Sequence, residues 1–212
     1  HQLKQPLNIL SLYCNDVKDS FFSNEINNKF IDDLSKNTKE QINFLSETID
    51  DFRDFFNPNK QKVVFEIKSA IEKSLKFMGN QFEINRVKVN IEYKDEKVYG
   101  IEIELEQVIL NILNNSMDAF KERKIENKEI NIKVLSKQSY TILIMEDNAG
   151  GVKEENLEKL FDPYYTTKST GTGTGLYMVK LVIKNSFQGD LKINNSEKGL
   201  RYIMALPQKE ES

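Results

Sequence analysis

Apolar residues recur at steps of four and three along the first quarter of the chain. Leu3, Leu7, Leu10, Cys14, Val17 and Phe21 make one such run. Ile31, Leu34, Thr38, Ile42, Leu45, Ile49, Phe52 and Phe56 make a second. This is the spacing of packed helices, and the polar Ser23-Asn24-Glu25 between the runs is short enough for a helix–helix connection. Two such helices carry more apolar stripe than they can cover for each other. Pairing two hairpins into a dimeric four-helix bundle would bury it; packing one face on the rest of the chain is the other way. Asn57-Pro58-Asn59-Lys60 stops the pattern, since Pro and Asn together end a helix and open a loop. Residues 1–57 therefore read as a helical hairpin and 60–212 as a second domain.

Past the boundary the periodicity is mixed. Lys62–Ile67 reads as a short strand and Ser69–Phe82 as an amphipathic helix. Val87, Val89, Ile91 and Tyr93 alternate as in a strand. Glu104–Phe120 returns to helical spacing, Ile130–Leu135 and Tyr140–Met145 read as neighbouring strands, and Gly175–Asn185 as a helix. Leu191–Ile193 and Arg201–Leu206 would complete the sheet. The class is α+β: a helical hairpin followed by an α/β sandwich with helices on one face of a mixed sheet.

Composition removes several functions. A net charge of −3 with 30% charged residues gives a weakly acidic surface, whereas nucleic-acid binding needs a dense basic face. One cysteine, Cys14, allows no internal disulfide and fits a reducing cytoplasmic setting. With a single Cys and a single His, no Cys/His metal cluster can be built. No apolar run approaches the ~20 residues that cross a bilayer, and His1–Leu12 has no signal-peptide pattern. The expectation is a soluble, cytoplasmic piece without direct membrane contact. Lacking an initiator Met, it reads as a fragment that a membrane-bound receptor could contain.

Three segments of the second domain carry chemistry. Asn111 and Asn115 stand four apart, so one helix face presents both amides. Amide oxygens coordinate hard cations and amide N–H groups reach phosphate, without adding negative charge; alone, the pair could equally be solvated. Asp147-Asn148-Ala149-Gly150-Gly151 follows an apolar strand. An acid at a strand end before paired glycines can hold an exocyclic amine while the backbone approaches a ring, and an ordinary turn would read the same. Gly171-Thr172-Gly173-Thr174-Gly175 precedes a helical stretch, where backbone N–H groups can converge on an anion. It is neither a Walker loop nor a dinucleotide fingerprint.

In this order the three segments resemble the N, G1 and G2 boxes of the ATP-binding domain shared by histidine kinases, type II topoisomerases and mismatch-repair ATPases. Phe161-Asp162-Pro163-Tyr164-Tyr165-Thr166-Thr167-Lys168 lies where histidine kinases carry their F box, and Gly189–Pro207 resembles the closing strands. The likeness spans residues 60–207. It implies ATP and Mg²⁺ as cofactors, with Asn115 holding the metal and Asn111 supporting metal and phosphates. It also implies that Asp147 receives the adenine amino group beside Gly151. Gly171, Gly173 and Gly175 would wrap the phosphates, and Lys168 would reach toward the terminal one. Ala149 departs from the family, which usually has glycine there, and a slightly altered nucleotide fit is expected.

The related ATPases carry a Glu base one turn before the metal-binding Asn. Here that position is Asn111, and an amide cannot take a proton from water at neutral pH. An ATP-hydrolysing enzyme of the same fold, or a nucleotide-binding dimerisation module without kinase activity, remains the alternative. The hairpin supplies a kinase's nucleophile: His1-Gln2-Leu3-Lys4-Gln5-Pro6-Leu7 resembles the H box of the sensor histidine kinases. On the heptad seam His1 falls at a solvent-facing position, where a largely neutral imidazole can attack phosphorus; as the first residue it could equally be a frayed end. Pro6 is expected to bend the helix just past it. The likeness implies a homodimer that autophosphorylates His1 and passes the phosphoryl group to an aspartate on a response-regulator receiver domain. Gln5 would sit where the family orients water for dephosphorylating that partner.

Gln2 stands where the family usually has an acid that draws a proton from the imidazole, and Gln can orient the ring but not act as base. Gln2→Glu is therefore expected to speed single-turnover labelling by γ-labelled ATP, up to the roughly 100-fold a positioned general base supplies. An unchanged rate removes that role from position 2.

Overall fold

A computed structural model describes residues 4–23, 26–55, 61–166 and 173–209. The chain divides into two compact units, His1–Asn59 and Lys60–Ser212. In the first, α1 (Lys4–Phe22) and α2 (Asn28–Phe55) form the hairpin. Asn27 caps α2, its Oδ1 accepting the Phe30 N–H at 2.9 Å. Leu10, Val17 and Leu34 are half-buried, while Cys14, Phe21, Ile31 and Ile42, on the same seam, stay exposed in the single chain. Pro6 is the third described residue of α1. The bend expected there would fall on residues 1–3, outside the described ones.

The second unit contains β1 (Val63–Glu66), α3 (Ile67–Asn85), β2 (Val87–Glu92), β3 (Lys97–Gly100), α4 (Glu102–Glu122), β4 (Lys128–Lys137) and β5 (Tyr140–Asp147). Then come α5 (Glu154–Leu157), a 3₁₀ turn Glu158–Phe161, α6 (Gly175–Leu181), a π-turn Val182–Ser186, β6 (Asp190–Asn195) and β7 (Leu200–Pro207). The main sheet runs β2-β4-β5-β7-β6, with β2 parallel to β4 and the other neighbours antiparallel. β1 and β3 pair separately as an antiparallel ribbon. The mixed sheet expected from the sequence is present. The four-residue β3 was not anticipated, being too short for alternation to show. The helix expected over Gly175–Asn185 is α-helical only to Leu181, and the wider π-turn beyond it buries Val182, Ile183 and Phe187 together.

Period-two alternation decides which side of the sheet is covered. Ile130, Ile132 and Val134 of β4, Leu143 and Met145 of β5, and Tyr202, Met204 and Leu206 of β7 are all buried. Their opposite numbers carry surface pairs such as Lys133–Glu92 at 2.8 Å and Arg201–Glu146 at 2.7 Å. Against the buried side lie α3, whose Ile67, Ala70, Ile71, Met78 and Phe82 face inward, and α4. Lys73 of α3 ties the two helices together, reaching Glu102 at 2.8 Å and Glu106 at 3.3 Å. Among the described residues no helix is long and apolar enough to cross a membrane.

Leu143→Ala removes a side chain with no exposed surface and is expected to cost about 2–5 kcal/mol of the second unit's stability in urea unfolding, against within about 0.5 for the exposed Lys192→Ala. A second expectation concerns pH. Hydrogen bonds from Lys73 and then Ser69 hold the Glu102 carboxyl below its usual range. A depressed carboxylate adds stability above its unfolded pKa of about 4.3 and loses it as pH falls through the lower folded value. Glu102→Gln should thus lower the melting temperature at pH 7 and lose that deficit toward pH 3.

Candidate functional site

Ser116 of α4 and Asp147 of β5 are polar residues on buried faces. On α4 the buried apolar residues are Leu105, Val108, Ile109, Ile112, Leu113 and Phe120, and Ser116 shares their face at 3% exposure. On β5 Asp147 continues the inward series of Leu143 and Met145 at 4% exposure. A buried polar group is costly unless paired, and these two pair with each other: Ser116 Oγ donates to Asp147 Oδ2 at 2.9 Å. Asp147 Oδ1 accepts the Ala149 N–H at 2.9 Å and the Leu200 N–H at 3.3 Å. Gly199 makes the last bond possible, because a Cβ there would overlap the Asp147 carbonyl oxygen. Burial first, and then the Asp147 charge, push the neighbouring Tyr202 phenol up.

The loop after Asp147 is fastened on several sides. Gly150 (φ 88°) and Gly151 (φ 65°) take the left-handed conformation that suits glycine. Ala149 needs no such conformation and is buried at 2% exposure, so its methyl group carries no backbone penalty. The Arg123 guanidinium at the end of α4 donates to the Ala149 carbonyl, and the Gly150 N–H to the Lys198 carbonyl at 2.7 Å. The Asn148 side chain accepts the Glu129 N–H at 2.9 Å and donates to the Asn127 carbonyl at 2.6 Å.

One turn earlier on α4, Asn111 and Asn115 are half-buried. Asn111 meets the start of α6: a Cβ on Gly175 would stand 3.2 Å from Asn111 Oδ1. Gly173 (φ 66°) accepts the Tyr164 N–H at 3.0 Å, and a Cβ on it would overlap the Tyr164 backbone. Lys180 of α6 lies 5.3 Å over the Phe161 ring. Helix α4 thus touches Gly175 at residue 111 and Asp147 at residue 116, about 7.5 Å apart along the axis. Among the described residues no group of three or more His, Cys, Asp or Glu could hold a metal. A cation here would depend on the amide oxygens of Asn111 and Asn115, a donor set suited to a hard ion.

Of the residues expected from the sequence, Asn111, Asn115, Asp147, Gly151, Gly173 and Gly175 are described: two on α4, Asp147 at the end of β5 with Gly151 in the loop after it, and Gly173 just before α6 with Gly175 at its first residue. Lys168, Gly171, His1 and Gln2 lie outside the described residues, and Gln5 is the second residue of α1 in the other unit. Sequence reasoning missed Ser116, Arg123 and Gly199. Ser116 carried a signal, a hydroxyl on a largely apolar helix face. The partners of the other two lie far off in the chain and leave no local periodicity.

Residues 100–210 match the family of histidine kinase-, DNA gyrase B- and HSP90-like ATPases, just over half of the chain. The two-component sensor PprA of Pseudomonas aeruginosa is 24% identical over 98% of this chain and 23% of its own length. Sporulation kinase B of Bacillus subtilis is 26% identical over 98% of this chain and 47% of its own. The chain thus spans from under a quarter to about half of these relatives. Among solved structures, histidine kinase ThkA in complex with the response regulator TrrA superposes with a TM-score of 0.68 at 19% identity, covering 99% of this chain and 59% of that one, a likeness of fold. By the match over its second unit this chain belongs to the histidine kinase-, DNA gyrase B- and HSP90-like ATPases.

Proposed function

We propose that the chain takes Mg-ATP, phosphorylates its own His1 and passes the phosphoryl group to an aspartate of a response-regulator receiver domain, acting as a homodimer in the cytoplasm. The observation that carries this reading is the two-ended contact of α4: Asn111 against Gly175 at one end and Ser116 bonded to Asp147 at the other. A carboxylate offers about four acceptor positions. Ser116, Ala149 and Leu200 occupy three on Asp147, which leaves one for an exocyclic amine such as that of adenine. Beside it, Gly150 and Gly151 present backbone rather than side chain.

At the other end, Asn111 and Asn115 would hold Mg²⁺, which neutralises phosphate charge when bound. Gly171, Gly173 and Gly175 would cradle the phosphates, with Lys168 toward the terminal one. A ring nitrogen of His1 then attacks the γ-phosphorus while the bond to the β–γ bridging oxygen breaks and ADP leaves. The phosphoryl group moves on from the imidazole to the receiver's aspartate. Water lacks an activating base, since position 111 holds an amide. Gln2 would orient the imidazole and Gln5 a water on the return path.

The dimer is supported by the hairpin's own surface. Phe21, Ile31 and Ile42 lie on the heptad seam yet remain 67%, 46% and 49% exposed in the single chain, so a second hairpin has apolar area to cover. The names of the relatives support the rest: a two-component sensor, a sporulation kinase, and a histidine kinase solved with its response regulator.

Incubation with γ-labelled ATP and Mg²⁺ is expected to give acid-labile label on the protein. His1→Gln should abolish that label and leave the Kd for a non-hydrolysable ATP analogue within about twofold, since binding and nucleophile sit in different units. Release of free phosphate without labelled protein would instead mark a hydrolase, and neither product a binding module.

A further inference from the structure

Asn195, the last residue of the edge strand β6, makes two hydrogen bonds to the loop after Asp147 and a third to the first residue of α5. Its Oδ1 accepts the Val152 N–H at 2.9 Å, and its Nδ2 donates to the Val152 carbonyl at 2.7 Å and to Glu154 Oε1 at 2.8 Å. The amide therefore does for Val152 what a neighbouring strand would do, satisfying both backbone groups of a residue that lies in no sheet. It also presses on Gly151, where a Cβ would run into Asn195 Oδ1. A solvated Asn at a strand end satisfies itself with water. This one is half-buried and bonds across 43 residues of sequence to the segment that leaves the Asp147 corner.

We propose that Asn195 is a positioning residue for the nucleotide base, an inference that rests on the nucleotide site above. The chain turns from Asp147 through Gly150 and Gly151 to Val152. The first end is held by the Asp147 carboxylate bonds, the middle by the Gly150–Lys198 bond, and the far end by Asn195. Two left-handed glycines in succession have more conformational freedom than any other pair, so their backbone keeps one path only if both ends are fastened. Release of the far end lets the surface that faces the base wander, while the phosphate end around Gly175 keeps its geometry. The effect falls on affinity and on discrimination between bases, and spares the chemical step.

The test uses the full 212-residue chain. Asn195→Ala should raise the KM for ATP in autophosphorylation by about tenfold, the worth of roughly one net hydrogen bond, with kcat within about twofold. The preference for ATP over GTP should fall with it. Asn195→Asp keeps the size and still accepts the Val152 N–H, but it sets a carboxylate oxygen against the Val152 carbonyl and against Glu154, so it should also raise the KM and lower the base preference. Glu154→Gln still accepts from Asn195 Nδ2 and should leave both at parental values. An unchanged KM and base preference in Asn195→Ala overturns the proposal, as does a parallel drop in kcat, affinity and melting temperature in both Asn195 variants. If Asn195→Ala does not fold, Asn195→Asp decides alone: a lowered base preference at a parental melting temperature supports the assignment, and a parental base preference overturns it. A parent chain that binds no ATP overturns the nucleotide site itself, a result separate from a parent that binds while the variant binds equally.

Discussion

A carboxylate buried at the end of a central strand must be surrounded by donors, and the arrangement of the second unit around the end of β5 follows from that demand on Asp147. Three donors come from three places: the Ser116 hydroxyl on α4, the Ala149 N–H in the loop, and the Leu200 N–H at the start of β7. Each bond constrains an element. The first sets the depth at which α4 lies on the sheet, the second bends the loop back toward its strand, and the third fixes where the β6–β7 turn ends. Gly199 is glycine because the turn passes so close to Asp147 that a side chain would not fit.

With α4 placed at its Ser116 end, its earlier turns reach the start of α6, where the proposed phosphate site lies. Asn111 reaches Gly175 at the first residue of α6, and Asn115 lies between the two contacts. The described walls are helix α4 and the loop after β5, which Gly150, Asn148 and Asn195 fasten, while Tyr164 bonds Gly173 just ahead of α6. Such walls fit the ligand proposed above, with a flat ring at one end and anionic groups at the other. The electrostatics agree: the outer sheet surface beside the site keeps its charges in pairs. Burial pushes the Glu146 carboxyl up, but hydrogen bonds from Arg201 and Ser196 outweigh it and hold the group below the usual range.

Much of this was legible from residue order. The alternation of β4, β5 and β7 and the helical stripe of α4 read directly from apolar spacing, and the seam of the hairpin did the same. Asn111, Asn115 and Asp147 stood out through the order of the three segments and its likeness to the N, G1 and G2 boxes, since each alone could read as a solvated pair or a turn. The short β3 left no pattern, and nothing local indicated that β2 would run parallel to β4. Cys14 and Phe21 belong to the seam by spacing, yet the single hairpin leaves them exposed, since a stripe states that a face needs cover without stating what covers it.

By itself, the sequence determined faces: which side of each helix and strand turns inward, and that Ser116 and Asp147 were polar groups on inward sides. Only the tertiary structure decided which faces meet. Ser116 and Asp147 are 31 residues apart, and Asn195 and Val152 are 43 apart. Periodicity is a property of neighbouring residues, enforced by helix and strand geometry. A hydrogen bond between distant residues exists only once sheet order and helix docking have brought donor and acceptor within about 3 Å.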